Sequence, residues 1–142
     1  MHYIVDASVI AEYLIAGSYT IHAAALFAGT FEGDLFTVPE LCLNECTNVI
    51  WKAVRFRGMP PQQGFQSLMD LKALPLKRIP TKSVLSLALS IGLKHELPIY
   101  DSLYIALAQR SQLPFVTLDF KQGQAATAEG INLVPITQFN RP

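Results

Sequence analysis

The chain has 142 residues, 51% of them hydrophobic, with a mean hydropathy of +0.30; this is enough for a buried core and too apolar for a disordered segment. Its 11 basic and 11 acidic residues cancel, so net charge by itself selects no partner. The longest apolar-rich stretch, residues 84–93, holds two serines and falls short of the ~18 residues a membrane helix needs.

In chain order, short β-type runs alternate with helical patterns, which predicts an α/β fold with a mainly parallel sheet. The strands are read at 3–5, 35–38, 76–79, 115–118 and 133–136, and the helices at 9–15, 21–31, 40–57, 61–73, 81–94, 102–110 and 122–129. Pro39 is placed at a helix start, where its missing N–H costs nothing. Gly58-Met59-Pro60-Pro61 reads as a turn between helices. In the helix at 81–94, Ser83, Ser86, Ser90 and Lys94 recur at spacings of three and four, so this helix is expected to bury most of its circumference. No repeat, low-complexity tract or charge block divides the chain, which reads as one domain over 1–142.

Two cysteines, Cys42 and Cys46, stand i,i+4 on a predicted helix, too far apart for an easy disulfide, and read as small buried thiols. Asp6 and Glu12 interrupt the N-terminal stretch and no basic segment precedes them, so it does not read as a signal peptide. A reducing, cytoplasmic setting follows as the expectation.

Four carboxylates fall where elements begin or end. Asp6 closes the first strand and Asp119 closes the run Phe115-Val116-Thr117-Leu118. Asp101 opens a helical stretch, and Glu45 projects from the second turn of the helix after Pro39. Ligands of parallel α/β sheets bind beyond the carboxyl ends of the strands, so these acids are expected on one rim. Gathered there they repel one another, and a divalent cation relieves the repulsion. Carboxylate oxygens suit Mg²⁺ or Mn²⁺. Each acid also has a plainer reading: Asp6, Asp101 and Asp119 as helix caps or turn residues, Glu45 as a solvated helix residue. Setting the four aside leaves 7 acids against 11 bases, a weak sign of a surface that tolerates polyanions.

The run Ile4-Val5-Asp6-Ala7-Ser8, then Val38-Pro39 leading to Asn44-Glu45, then Tyr100-Asp101-Ser102-Leu103-Tyr104-Ile105-Ala106-Leu107-Ala108, then Val116-Thr117-Leu118-Asp119 resembles the PIN domain, most of all the VapC-type toxin ribonucleases of toxin–antitoxin pairs. The resemblance runs from Tyr3 to about Ile136. It implies a three-layer fold, a mainly parallel central sheet flanked by helices. It implies a metal-dependent endoribonuclease in which Asp6, Glu45, Asp101 and Asp119 form the catalytic, Mg²⁺- or Mn²⁺-binding set. Ser8 and Thr117 match hydroxyls that orient the carboxylates. It further implies an RNA substrate, a cognate antitoxin and a homodimer. The cation would activate water and neutralise charge developing on the phosphorus.

Other residues are weighed and set lower. Glu40 competes with Glu45, but the helix dipole explains it; Glu12 reads as solvated. Asn44, Asn48, Lys52 and Arg55 read as surface, His2, His22 and His95 show no ligand spacing, and Trp51, Phe56 and Tyr104 read as core or interface. Competing functions are a catalytically silent PIN-like RNA-binding or assembly module, a DNA nuclease, and a metal-dependent phosphatase. The last expects an aspartate where Ser8 stands.

Overall fold

The computed structural model describes residues 1–140, so the end of the expected domain at 142 lies outside the described residues. Among the described residues four strands, β1 (His2–Val5), β2 (Leu35–Pro39), β3 (Leu76–Ile79) and β4 (Phe115–Val116), form one sheet in the order β3-β2-β1-β4. Every pairing is parallel. Apolar β-branched and aromatic residues drive this: Ile4, Val5, Phe36, Val38, Phe115 and Val116 are at most 1% exposed. Seven α-helices among the described residues complete the three-layer α/β arrangement: α1 (Ala7–Leu14), α2 (Thr20–Ala28), α3 (Cys42–Phe56), α4 (Pro61–Ala73), α5 (Leu85–His95), α6 (Ile99–Ser111) and α7 (Phe120–Ala128).

Helix α6 packs on β1 and β2, with α5 and α7 against it, whereas α1 packs with α2, α3 and α4. From Ser102 to Ala108 every residue of α6 is buried. Gly92 permits the close fit of α5 on the start of α6: a Cβ there would stand 2.8 Å from the Leu97 carbonyl and 3.1 Å from Ser102 Oγ. Cys42 and Cys46 are buried free thiols, as their spacing suggested. No helix among the described residues is long and apolar enough to cross a membrane.

Four expectations are corrected. The strand at 115–118 stops at Val116, because the Leu118 N–H turns to Ser8 Oγ (3.1 Å) and the Asp119 N–H to Thr117 Oγ1 (3.0 Å). The strand at 133–136 reduces to a single bridge, Phe115 to Leu133. Pro135, which has no N–H to give a ladder, instead starts a 3₁₀ turn at Ile136–Gln138. Pro39 belongs to β2, and Glu40 N–H still donates to Ile79 (3.0 Å), so the helix begins only at Cys42. Glu45 therefore lies in its first turn, not its second.

The fourth correction concerns the serine-striped helix. After a 3₁₀ turn at Lys82–Val84, α5 buries only Ala88, Ile91 and Gly92, and its leucines Leu85, Leu89 and Leu93 are 46%, 51% and 75% exposed. An apolar circumference is buried only where another element covers it, and α6 covers one side.

Candidate acidic site

Neighbouring parallel strands β1 and β4 are each followed by an aspartate that caps the next helix, Asp6 directly after β1 and Asp119 three residues past Val116. Chain order reverses direction between them, since β1 leads outward to β2 on one side and meets β4 on the other. A crevice at such a switch point is where a parallel α/β sheet accepts ligands. Asp6 Oδ2 accepts the Ser8 N–H at 3.1 Å, and Asp119 Oδ1 accepts the Gln122 N–H at 2.9 Å. The capping expected of these two residues is therefore real, and it leaves each carboxylate at the sheet's carboxyl edge. Asp101 does not cap: Pro98 occupies that place, and Asp101 sits in the first turn of α6, where the helix dipole favours a negative charge.

The electrostatics join the acids. Burial pushes Asp6 above the ordinary carboxylate range, against hydrogen bonds from Ser8 and Gln122 that favour its charged form. Burial raises Asp101 too, reinforced by the charges of Asp6 and Asp119. Glu45 is raised to about 7, by burial first and then by the charges of Asp6 and Asp101, while a hydrogen bond from Tyr104 opposes the rise. Charge thus links the acids in a chain: Glu45 feels Asp6 and Asp101, and Asp101 feels Asp6 and Asp119.

Supporting groups hold this arrangement. Tyr104 is fully buried and its hydroxyl donates to Glu45 Oε1 at 2.8 Å. Thr117 Oγ1 stands 3.4 Å from Asp6 Oδ2 and 2.7 Å from Gln122 Oε1; the shorter contact takes its single proton. Ser8 presents its backbone N–H to Asp6, while its hydroxyl accepts from Leu118 and ties the two strand ends together. Gln122, wholly buried, donates through Nε2 to Asp6 Oδ1 (3.3 Å) and to the Asp101 carbonyl (3.1 Å).

Sequence reasoning placed Tyr104 in the core or an interface and passed over Gln122. Two signals pointed to them: the i,i+3 spacing of Asp101 and Tyr104 on one helix face, and the Asp-x-x-Gln spacing of a helix start. Trp51 and Phe56, read as core or interface, are 53% and 67% exposed and meet edge to face. Glu40, Lys52 and Arg55 lie at the surface.

The donor set is one that hard cations take. No group of three or more His, Cys, Asp or Glu among the described residues stands ready to hold a metal ion. The residues fit a cation of the Mg²⁺ kind, which takes one or two carboxylates and keeps water elsewhere, and they do not fit an all-protein cage.

The family model of the PIN domain matches residues 3–128, and the chain belongs to that family. Among solved structures, PAE2754 from Pyrobaculum aerophilum is similar at a TM-score of 0.73 and 20% identity, covering 97% of this chain and 85% of the other. VapBC2 from Rickettsia felis, bound to a DNA fragment from its promoter, matches at 0.67 and 13%, covering 95% and 98%. FitAcB from Neisseria gonorrhoeae matches at 0.60 and 16%, again covering 95% and 98%. These likenesses establish a shared fold. No curated protein matches the chain.

Proposed function

We propose that this PIN-domain chain is a metal-dependent endoribonuclease and the toxin half of a toxin–antitoxin pair. One observation carries the reading: on one rim the charges of Asp6 and Asp101 raise the pKa of Glu45, and those of Asp6 and Asp119 raise that of Asp101. Like charges so arranged are stable together only when protonated or when a cation lies among them. Asp6 and Asp101 would hold Mg²⁺ or Mn²⁺, with Asp119 and Glu45 completing the negative field. Such a cation supplies an activated water and neutralises charge on a phosphodiester in transition. The chain's own contribution is orientation. Helix caps and the Ser8, Thr117 and Tyr104 contacts hold the carboxylates in place, and the start of α6 sets a favourable helix dipole against the burial that raises Asp101.

Two exposed apolar surfaces support the expected partners. Leu85, Leu89 and Leu93 lie on successive turns of α5, the seam a second copy would bury. Between α3 and α4 an apolar depression lined by Ile50, Trp51, Val54, Phe65 and Leu68 suits an antitoxin segment. The RNA and toxin assignments rest on the family resemblance, and the cytoplasmic one on the reading of Cys42 and Cys46 as reduced thiols.

A second reading is a silent PIN-like module that binds RNA or assembles without cutting it, and the absence of a three-carboxylate metal group among the described residues favours it. Incubating RNA with the protein in Mg²⁺, Mn²⁺ or EDTA separates the two. The nuclease cuts only with metal, and loses both cutting and calorimetric Mn²⁺ binding on Asp101→Asn. RNA bound but left intact in every buffer would establish the module instead.

A further inference from the structure

Residues 119–122, Asp-Phe-Lys-Gln, have the spacing of a capping box, in which the third-position Gln reaches back to the N–H of the cap. Here it does not. The Asp119 N–H goes to Thr117 Oγ1 at 3.0 Å, and the Gln122 side chain is free to turn inward. It is fully buried, where an apolar residue of the same size would carry no polar cost. Its amide is nonetheless completely used: Oε1 accepts from Thr117 at 2.7 Å, and Nε2 gives its two protons to Asp6 Oδ1 at 3.3 Å and the Asp101 carbonyl at 3.1 Å. The orientation is fixed, because a flipped amide would set its oxygen against a carboxylate and a carbonyl.

We infer that Gln122 is a positioning residue: its amide clamps the Asp6 carboxylate to the first turn of α6, so that Asp6 and Asp101 keep one spacing for a shared divalent cation. The inference rests on the reading of the rim as a cation site. Three elements, β1, α6 and α7, meet at this one side chain. An apolar replacement preserves packing but leaves Asp6 and the start of α6 free to drift apart.

Calorimetric binding of Mn²⁺ to the whole protein tests it, with Asp6→Asn and Asp101→Asn alongside. Gln122→Met, which keeps length and volume, should weaken Mn²⁺ binding by about 10- to 100-fold, the range for lost outer contacts to metal ligands. It should also lower kcat for RNA while leaving KM unchanged. A Gln122→Met protein that melts cooperatively and binds Mn²⁺ within twofold of wild type overturns the inference; if the two Asn variants lose binding in the same experiment, the site reading survives. Wild-type protein that binds no Mn²⁺ sinks both. Should Gln122→Met fail to fold, the side-chain amide resonance of Gln122 in the unaltered protein decides. It should shift on Mg²⁺ addition, and a resonance that stays still at saturating Mg²⁺ overturns the clamp.

Discussion

The β1–α1 and β4–α7 junctions are built from the same local device and end up electrostatically unlike. In each, a parallel strand runs into an aspartate whose side chain caps the following helix. Asp6 nevertheless lies 6% exposed at the end of an interior strand and receives donors from Ser8 and Gln122. Asp119 follows a two-residue strand, is exposed, and receives the Gln122 backbone N–H. Local sequence chemistry makes the cap; strand order decides whether the cap is also a buried charge.

The largest expected effect falls on the buried member. Asn caps a helix about as well as Asp, so Asp6→Asn removes charge without removing the cap. RNA cleavage should fall by about a hundredfold or more. The melting temperature should fall slightly, because relief of the buried anion is set against an amide N–H₂ that meets the buried Gln122 Nε2 donor. Asp119→Asn should weaken cleavage by only about tenfold, since Asp119 sits in solvent at the end of the chain of charges. If Asp119→Asn proves the more damaging of the two, the contrast between the junctions is wrong.

A finer test uses Glu45 as a reporter, because Asp6 lies in its field and Asp119 does not figure there. Asp6→Asn should lower the Glu45 pKa from about 7, since a neighbouring negative charge has gone, and Asp119→Asn should leave it in place; carboxyl NMR titration reads both. The same shift has a sign for stability. A carboxyl raised from 4.5 to about 7 on folding binds more protons folded than unfolded between those values. Metal-free protein therefore loses stability as pH climbs through that window. Glu45→Gln should flatten the loss, which denaturant melts across the window would register.

The sequence displayed the alternation of strands and helices well, because Ile4-Val5, Phe36 and Val38, and Phe115-Val116 are apolar runs with few other places to go. It displayed the four acids and their place at element ends. It misjudged what depends on neighbours distant in the chain. Leu85, Leu89 and Leu93 are as apolar as any buried run, and nothing local says that α6 covers only the other side. The strand at 133–136 was read from apolar content, and Pro135 was the residue that should have limited it. Gln122 looked like one more polar helix residue, since its role exists only where β1, α6 and α7 converge. No spacing within one segment records that convergence.

The smallest expected effect isolates the cap itself. Asp119→Ala compared with Asp119→Asn removes one side-chain acceptor from an exposed helix start, a loss of about 1 kcal/mol, or ~3 °C in melting temperature for a chain this size. The parallel pair at Asp6 should differ by less. Asp6→Ala takes the cap and leaves the buried Gln122 Nε2 one acceptor short, but Asp6→Asn, with its single oxygen kept on the Ser8 N–H, turns its N–H₂ toward the same Nε2 and strands it too. A stranded buried donor costs ~1–3 kcal/mol in either variant, so both Asp6 variants should melt below their Asp119 counterparts. An Asp6→Asn protein as stable as Asp119→Asn would mean that Gln122 finds another acceptor at no cost, and the buried aspartate would then be held no more firmly than the exposed one.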